Sequence, residues 1–489
     1  MIIVELKEGE RFTFWTFKNK IRNHLEVNNN ELRYLLKRLE LSHCLKHHIP
    51  IRDINDVSEI DDYDDYQQEY FKFSFVGIII VNHFCFLIYP KYWKDIELEK
   101  RKVEKFFQVL TVIDKYDKNR ESKLEVSTSD KNSQLSTWIH ILLDYINNGL
   151  YSNDETREEI NGEGLLLWEK TINESTAYVE KNIPIYLDIF TQSTVINETN
   201  IIRRLHAAII SEIALCLGDL LHYIGLNFDF NLSTEEINDF GTNEYIVYLL
   251  ENELSRQFIT DKQVMIQNMI SYIEGKNEQI RENIQLFGTT AFNMVWEAVC
   301  SKVYSNSLNK NMYSLGLLKP ENYDDSEISE EHRDKKWSQL KLKDFVEKPI
   351  WETQEEKAIA NDSLILDVLN TDESNKVFRI YDAKYYQISF EKTRKGDLRV
   401  SGQPGIGDVT KQYLYQLAYK NLAETNGYKF SNCFVVPKDD LVELELPFGL
   451  GTGNLLGQVR MNMLSSLGLS DIKVIERDCW TIFSEYLKT

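Results

Sequence analysis

Apolar positions along this chain follow two periods. Around Phe75 to Val81 they run almost unbroken, and after Asn82-His83 they resume from Phe84 to Tyr89. Short, branched and aromatic runs parted by a turn predict two paired, buried strands. The longer of them is far below the roughly 20 apolar residues needed to span a bilayer, so no membrane partner is expected. From about Ile96 to Leu286 the spacing becomes helical, as in Asn200 to Leu215, which predicts a mainly helical scaffold. Thr289 to Cys300 continues as a helix entered through capping-type threonines. Strand character returns in Ser363 to Leu369 and Phe378 to Tyr386, joined by the polar turn Asn370 to Lys376. Gly407 to Tyr419 then reads as a helix with Leu414, Leu417 and Ala418 on the side that packs beside the second strand. The expected fold class is therefore α+β and α/β multidomain. Residues 1–93 form an N-terminal α+β domain, 94–286 a helical middle region, and 287–489 a central mixed sheet flanked by helices.

One strand end carries candidate chemistry. Asp382 and Lys384 are two apart, so on a strand they share a face, while Ala383 between them turns its carbonyl to the same neighbourhood. A hairpin would bring Asp367 beside Asp382, and two adjacent carboxylates call for a divalent cation such as Mg²⁺. Glu297, alone among large apolar residues in its helix, is a third acid whose burial requires a partner or a metal; a solvent-facing Glu297 is the competing reading. Glu5-Lys7, Glu121-Lys123 and Asp471-Lys473 share the acid-x-lysine spacing, but no apolar run with its own acid precedes them at hairpin distance. Gln412, Tyr415 and Gln416 offer amides and a phenol to a phosphate, or simply form a helix rim.

Phe73 to Trp93, Thr289 to Cys300, Tyr381 to Tyr386 and Gln403 to Tyr419 together resemble the LlaJI family of restriction endonucleases, relatives of the McrC nuclease subunit. The resemblance implies a PD-(D/E)xK nuclease fold for 287–489 and a type II/type IV-like restriction endodeoxyribonuclease of a bacterial antiviral defence system. It further implies DNA as substrate, an McrB-like AAA+ NTPase as partner, and Mg²⁺ as cofactor, with Mn²⁺ able to substitute. Residue by residue, it assigns Asp367, Asp382, Glu297 and the Ala383 carbonyl to the metal and Lys384 to catalysis, with Gln416 as the glutamine of the following helix. Leu366 stands where the superfamily has proline. The alternative function is a non-catalytic nuclease-fold partner that binds and stimulates an NTPase.

Charge complicates this picture. The 489 residues carry a formal net charge of −21, unfavourable for holding a polyanion. Residues 291–489 hold 25 Lys and Arg against 30 Asp and Glu, a balance of −5, which leaves −16 for residues 1–290. Lys392, Arg394, Lys395 and Arg399 form a basic run suited to the DNA backbone or to a solvated turn. The acidic N-terminal portion implies that a partner protein supplies most of the DNA affinity. Pairing of nuclease chains would provide two active sites for two strands.

The six cysteines show no paired spacing, as expected in a reducing cytoplasm, and Met1 to Glu8 lacks the pattern of a signal peptide. His43-Cys44-Leu45-Lys46-His47-His48 is a weak zinc candidate on an expected helix, without a second ligand pair. Ser58 to Glu69, Asp114 to Ser133 and Pro320 to Asp334 read as charged loops. The glycine-rich stretch Leu446 to Gly457 reads as a turn between a strand and a helix; it lacks the Walker lysine, so a domain turn is a better account of it than nucleotide binding.

Overall fold

The computed structural model describes residues 2–22, 28–48, 69–93, 101–121, 134–152, 154–181, 183–196, 200–223, 230–277, 284–321, 323, 336–353, 356–392, 396–446 and 449–489. They divide into two compact units: Thr128–Phe287, and Ile2–Ser127 together with Gly288–Thr489. Residues 2–93 thus share a unit with the C-terminal segment instead of standing as a separate domain. The reason is a common aromatic interior. Tyr92 meets Phe292, Tyr385 and Phe483 at ring separations of 6.5, 6.3 and 6.5 Å, and Trp93 stacks on Tyr89 at 4.8 Å.

The N-terminal part of this unit runs β1 (Ile2–Lys7), β2 (Arg11–Phe12), α1 (Phe14–Arg22), α2 (Asn29–Leu41), β3 (Leu45–His48), β4 (Tyr70–Phe73), β5 (Val76–Val81), β6 (Phe84–Tyr89) and α3 (Lys102–Glu121). The two expected apolar strands are β5 and β6. They pair antiparallel across a turn whose Asn82 has φ +53°, a conformation asparagine tolerates. β1 pairs parallel on the other side of β6, all of whose residues are buried. A second sheet has the order β2-β4-β3. The His43–His48 stretch is not helical: α2 ends at Leu41, His43 takes φ +58°, and β3 sends His47 and His48 to opposite faces. That divergence rules out a joint zinc grip. The loop expected from Asp114 is instead the last two turns of α3, with Asp114 buried and paired to Lys118 at 3.1 Å; 122–133 lie outside the described residues. So do 58–68 and most of 320–334.

The other unit contains α4 (Gln134–Asn148), β7 (Asp154–Ile160), β8 (Leu165–Leu166), α5 (Trp168–Glu174), β9 (Ala177–Glu180), β10 (Ile183–Tyr186), β11 (Phe190–Ile196), α6 (Ile201–Tyr223), α7 (Asn243–Arg256) and α8 (Thr260–Asn277). Its five strands interrupt the segment expected to be mainly helical. Here β-branched residues in Phe190–Ile196 pair antiparallel with the charged Asp154–Ile160. α6 is long and apolar enough to cross a membrane by length and composition alone. Eleven of its residues are buried within the unit, including His206, as in a soluble core helix.

His206 gives this unit an acid sensitivity. Its Nδ1 accepts a hydrogen bond from the Tyr151 amide at 3.1 Å, so Nε2 carries the proton of a neutral ring. Burial and the nearby Arg203 hold its pKa down to about 3. The unfolded histidine, titrating near 6.5, binds a proton that the folded one refuses, so this contribution is present above about pH 6.5 and declines as pH falls. Stability should fall by about 1.4 kcal/mol per pH unit between about pH 6 and pH 4 through this residue. Urea midpoints across that range should show a shallower pH dependence in His206→Asn than in the wild type.

The remaining elements are β12 (Ile284–Thr289), α9 (Phe292–Val303), β13 (Ile350–Glu352), β14 (Lys357–Ile359), β15 (Val368–Asp372), β16 (Val377–Ala383), β17 (Ser389–Lys392), β18 (Leu398–Ser401), α10 (Ile406–Ala418), α11 (Lys420–Thr425), β19 (Lys429–Lys438), β20 (Leu444–Glu445), β21 (Thr452–Val459), β22 (Ile472–Asp478) and α12 (Cys479–Lys488). A six-stranded mixed sheet has the order β15-β16-β19-β22-β21-β20. β16, β19 and β22 run parallel, with β15 and β21 antiparallel at their flanks. The architecture is mixed α/β.

Two local expectations change. The second half of the glycine-rich stretch is not a turn but strand β21, which pairs with β22 through a bulge between Leu455 and Gly457, and the helix expected after it is the 3-10 helix Asn462–Leu467. α10 buries Val409, Gln412, Tyr413 and Gln416, leaving Leu414 and Leu417 42% and 43% exposed. Counting apolar residues chose the wrong face because two buried glutamines carry this one.

Candidate active site

The β15–β16 hairpin closes through a turn in which Asp372 accepts from the Asn375 amide at 3.0 Å. Its register sets Val368 opposite Tyr381. One step further along each strand, Asp367 meets Asp382, and the Asp367 Oδ2 accepts from the Ala383 amide at 2.8 Å. Regular pairing begins only at Val368, so Asp367 sits at the strand's entry rather than within it, behind a buried Leu366.

Both acids are strained by their surroundings. Asp382 is 5% exposed, and burial with the adjoining Asp367 pushes its pKa up to about 8. Asp367 is likewise raised, chiefly by burial. Two carboxyls in one low-dielectric pocket bind a proton between them unless another cation compensates.

Lys384 supplies part of that compensation. Its amide donates to the Val435 carbonyl at 2.9 Å, and its Nζ stands 3.1 Å from Asp382 Oδ2 and 2.9 Å from Asp408 Oδ1. Burial opposes its charge, but the two carboxylates outweigh burial and raise its pKa above the usual lysine value. The same Val435 carbonyl also accepts from Trp296 Nε1 at 3.1 Å. That bond locks α9 onto the ends of β16 and β19. Phe292, Val295, Trp296, Val299 and Cys300 form the helix's buried stripe, with Glu297 half-buried at its border. Glu297 is close enough to interact electrostatically with Lys384, Asp382 and Asp367, and burial raises its pKa. The four side chains singled out in the sequence, Glu297, Asp367, Asp382 and Lys384, therefore converge.

The supporting residues divide. Tyr415 is half-buried, and its hydroxyl is pushed up to about 12 by burial and the Asp382 and Asp367 carboxylates. Gln412 and Gln416 face β19 instead. Gln412 Nε2 donates to the Cys433 carbonyl at 3.2 Å, and Gln416 Oε1 accepts from the Ser470 amide at 3.1 Å. Four residues apart, they occupy one buried helix face and secure the sheet. Asp408 was legible only as a helix start; its pairing with Lys384 spans 24 residues and leaves no spacing signal. The basic run does not form one patch. Lys392 is opposite Leu398 and Arg399 opposite Glu391, so the two cations leave opposite faces of the β17–β18 hairpin, while Arg394 and Lys395 lie outside the described residues.

Among the described residues, no three His, Cys, Asp or Glu side chains stand grouped as a ready-made metal cage. The donors at hand, two adjoining aspartates and a neighbouring glutamate, are hard oxygens that suit Mg²⁺ or Mn²⁺ rather than zinc. The repulsion already present between Asp367 and Asp382 is what a bound cation would relieve.

Comparison with known proteins follows the same line. A model of the LlaJI restriction endonuclease family matches residues 75–340 and 334–451. The type II restriction enzyme BsuMI component YdjA of Bacillus subtilis (strain 168) is 27% identical over 388 residues, 77% of this chain and 75% of that protein. Among solved structures, the refined half-complex of Thermococcus gammatolerans McrB AAA+ hexamers with bound McrC is similar over 99% of this chain and 98% of its own, at 13% identity and a TM-score of 0.36. The cryo-EM structure of the Thermococcus gammatolerans McrBC complex is similar over 63% and 88%, at 15% identity and a TM-score of 0.24.

Proposed function

Because the chain belongs to the LlaJI restriction endonuclease family, we propose that it is the Mg²⁺-dependent DNA-cleaving subunit of a bacterial antiviral restriction system, working with an McrB-like AAA+ NTPase. The observation that carries this reading is the convergence of Asp367, Asp382, Lys384 and Glu297 at the end of β16. In this reading residues 287–489 have a PD-(D/E)xK fold, and Leu366 fills the proline position.

The Asp367 and Asp382 carboxylates, with Glu297 and the Ala383 carbonyl, are the groups to hold Mg²⁺, or Mn²⁺ in its place. Such an ion polarises a phosphoryl oxygen and acidifies a bound water. Lys384 orients the attacking water and offsets the charge that develops on the phosphate oxygens. Asp408 shares the ammonium with Asp382, and it raises the lysine's proton affinity so that the charge persists. The six cysteines, all among the described residues, are joined in no disulfide, which fits a cytoplasmic setting. A balance of −16 over residues 1–290 fits division of labour with an NTPase partner, and the Bacillus subtilis relative is itself described as a component of a restriction enzyme.

The test is cleavage of methylated and unmethylated plasmid with and without an McrB-like AAA+ NTPase. Mg²⁺ or Mn²⁺ should support cutting, and EDTA should abolish it reversibly. Cutting that persists in EDTA, or none under any combination of plasmid, ion and NTPase, overturns the assignment.

A further inference from the structure

The turn that follows Lys384 is fastened from outside its own sheet. β16 ends at Ala383, and the Tyr386 amide donates back to the Lys384 carbonyl at 3.0 Å, so the chain bends sharply just beyond the lysine. Lys384 reaches toward Asp382 and Asp408. Tyr385 instead is buried against Phe292 of α9 and Tyr92, at ring separations of 5.1 and 6.3 Å. Its hydroxyl donates to Glu8 Oε2 at 2.6 Å, and the Lys91 amide donates to the same hydroxyl and the same carboxylate oxygen at 3.2 and 3.3 Å. Gln387 Nε2 donates to the Lys91 carbonyl, and Lys91 Nζ lies 4.3 Å over the Tyr385 ring.

Glu8 and Lys91 stand just past the ends of β1 and β6, whose parallel register closes with Lys7 opposite Tyr89. The Glu8 amide donates to the Tyr89 carbonyl at 2.8 Å, so its place follows from that sheet. A carboxylate withdrawn from water needs bonds to offset the cost. Here burial raises the Glu8 pKa while the Tyr385 hydroxyl and Lys91 hold it down, and the bond to Tyr385 goes to the residue beside Lys384. Those two neighbours share one planar peptide unit, so an anchor on Tyr385 constrains the direction in which Lys384 leaves the chain. Precision matters at that point: a misplacement of about 1 Å at a reacting group can cost about 10²-fold in rate.

We propose that Glu8 is a positioning residue for Lys384: through the Tyr385 hydroxyl it holds the turn after β16, so that the N-terminal sheet sets the aim of the lysine. The inference rests on the nuclease reading above and adds to it a residue from the opposite end of the chain. Glu8 touches neither DNA nor cation in this role. Glu5 provides the contrast. It accepts from the Tyr89 hydroxyl at 2.8 Å, a bond of the same kind that stays within the β1–β6 pair.

Full-length Glu8→Ala, Glu8→Gln, Tyr385→Phe and Glu5→Ala are compared in two assays. The first sets single-turnover plasmid cleavage against affinity for a labelled duplex in EDTA. Glu8→Ala and Tyr385→Phe should each cut at least about tenfold more slowly with affinity unchanged, and the double variant no more slowly than either alone. Glu8→Gln keeps an acceptor for the hydroxyl and should cut within about threefold of the wild type. Glu5→Ala should cut at the wild-type rate. The second assay needs no cleavage: reductive methylation of Lys384, followed by mass spectrometry, should be at least about fivefold faster in Glu8→Ala and Tyr385→Phe and unchanged in Glu8→Gln and Glu5→Ala. Wild-type methylation in Glu8→Ala or Tyr385→Phe, equal acceleration in Glu5→Ala, or a Glu8→Gln variant as impaired as Glu8→Ala overturns the proposal. So does undiminished cutting by Glu8→Ala where the wild type cuts, which leaves the nuclease assignment standing. A wild type that never cuts, with Lys384 methylated faster in Glu8→Ala and Tyr385→Phe alone, removes the nuclease assignment and keeps the positioning.

Discussion

Asp382→Ala is expected to reduce plasmid cleavage by about 10³-fold or more, a loss of about 4 kcal/mol of transition-state stabilisation, while leaving the folded protein at least as stable. The two halves of this expectation share one cause. A carboxyl that is 5% exposed and raised to about 8 by burial and by Asp367 is costly to keep ionised. Alanine removes that cost, but it also removes one of the oxygens proposed to hold the cation. Lys384 keeps Asp408 as a partner at 2.9 Å, so its charge is not stranded. Melting temperature measured beside single-turnover cleavage checks both halves. Cleavage at the wild-type rate would remove Asp382 from the chemistry, and loss of cleavage with a collapsed melting temperature would make the residue structural.

Arg477→Met is expected to destabilise the larger unit by about 3–5 kcal/mol, as when a buried ion pair loses one partner. Arg477 is 2% exposed. Its guanidinium donates to Glu443 at 2.7 Å, to Glu485 at 3.1 and 3.2 Å and to the Tyr304 hydroxyl at 3.1 Å. Glu443 is itself buried, with 8% of its side chain exposed, and would be left with a charge and no cation beside it. Tyr304 in turn stacks on Tyr381 at 4.1 Å, immediately before Asp382. Loss of Arg477 should therefore loosen β16 as well as the helix α12 behind it. Urea unfolding measures the loss. Adding Glu443→Leu, which removes the stranded acid, should recover much of it, whereas equal instability in the single and double variants would show that packing rather than charge is responsible.

The legible part of this molecule is local. Phe75–Val81 and Phe84–Tyr89 announce themselves as paired strands because their apolar runs are unbroken and the turn between them is polar. The Asp-x-Lys face of Phe378–Tyr386 follows from strand alternation, and a hairpin to Asp367 follows from a seven-residue polar gap. The α9 stripe follows from helical spacing, which also leaves Glu297 at its border. Elsewhere the same rules misled. His43–His48 contains no breaker and so reads as helix, yet a left-handed His43 turns the chain into a strand. Leu414 and Leu417 suggested a buried face that belongs to Gln412 and Gln416, because paired amides bury well when β19 offers them partners.

What the sequence alone determined was the succession of elements around the hairpin and the presence of three acids and one lysine on them, since periodicity is a property of residues two to four apart. The tertiary structure decided which of those groups meet. Asp408 reaches Lys384 across 24 residues, Glu8 reaches Tyr385 across 377, and Trp296 reaches Val435 across 139. It also decided that residues 2–127 share a core with 288–489. Such contacts depend on strand register and on the packing of distant apolar faces, energies that exist only once the chain has closed on itself.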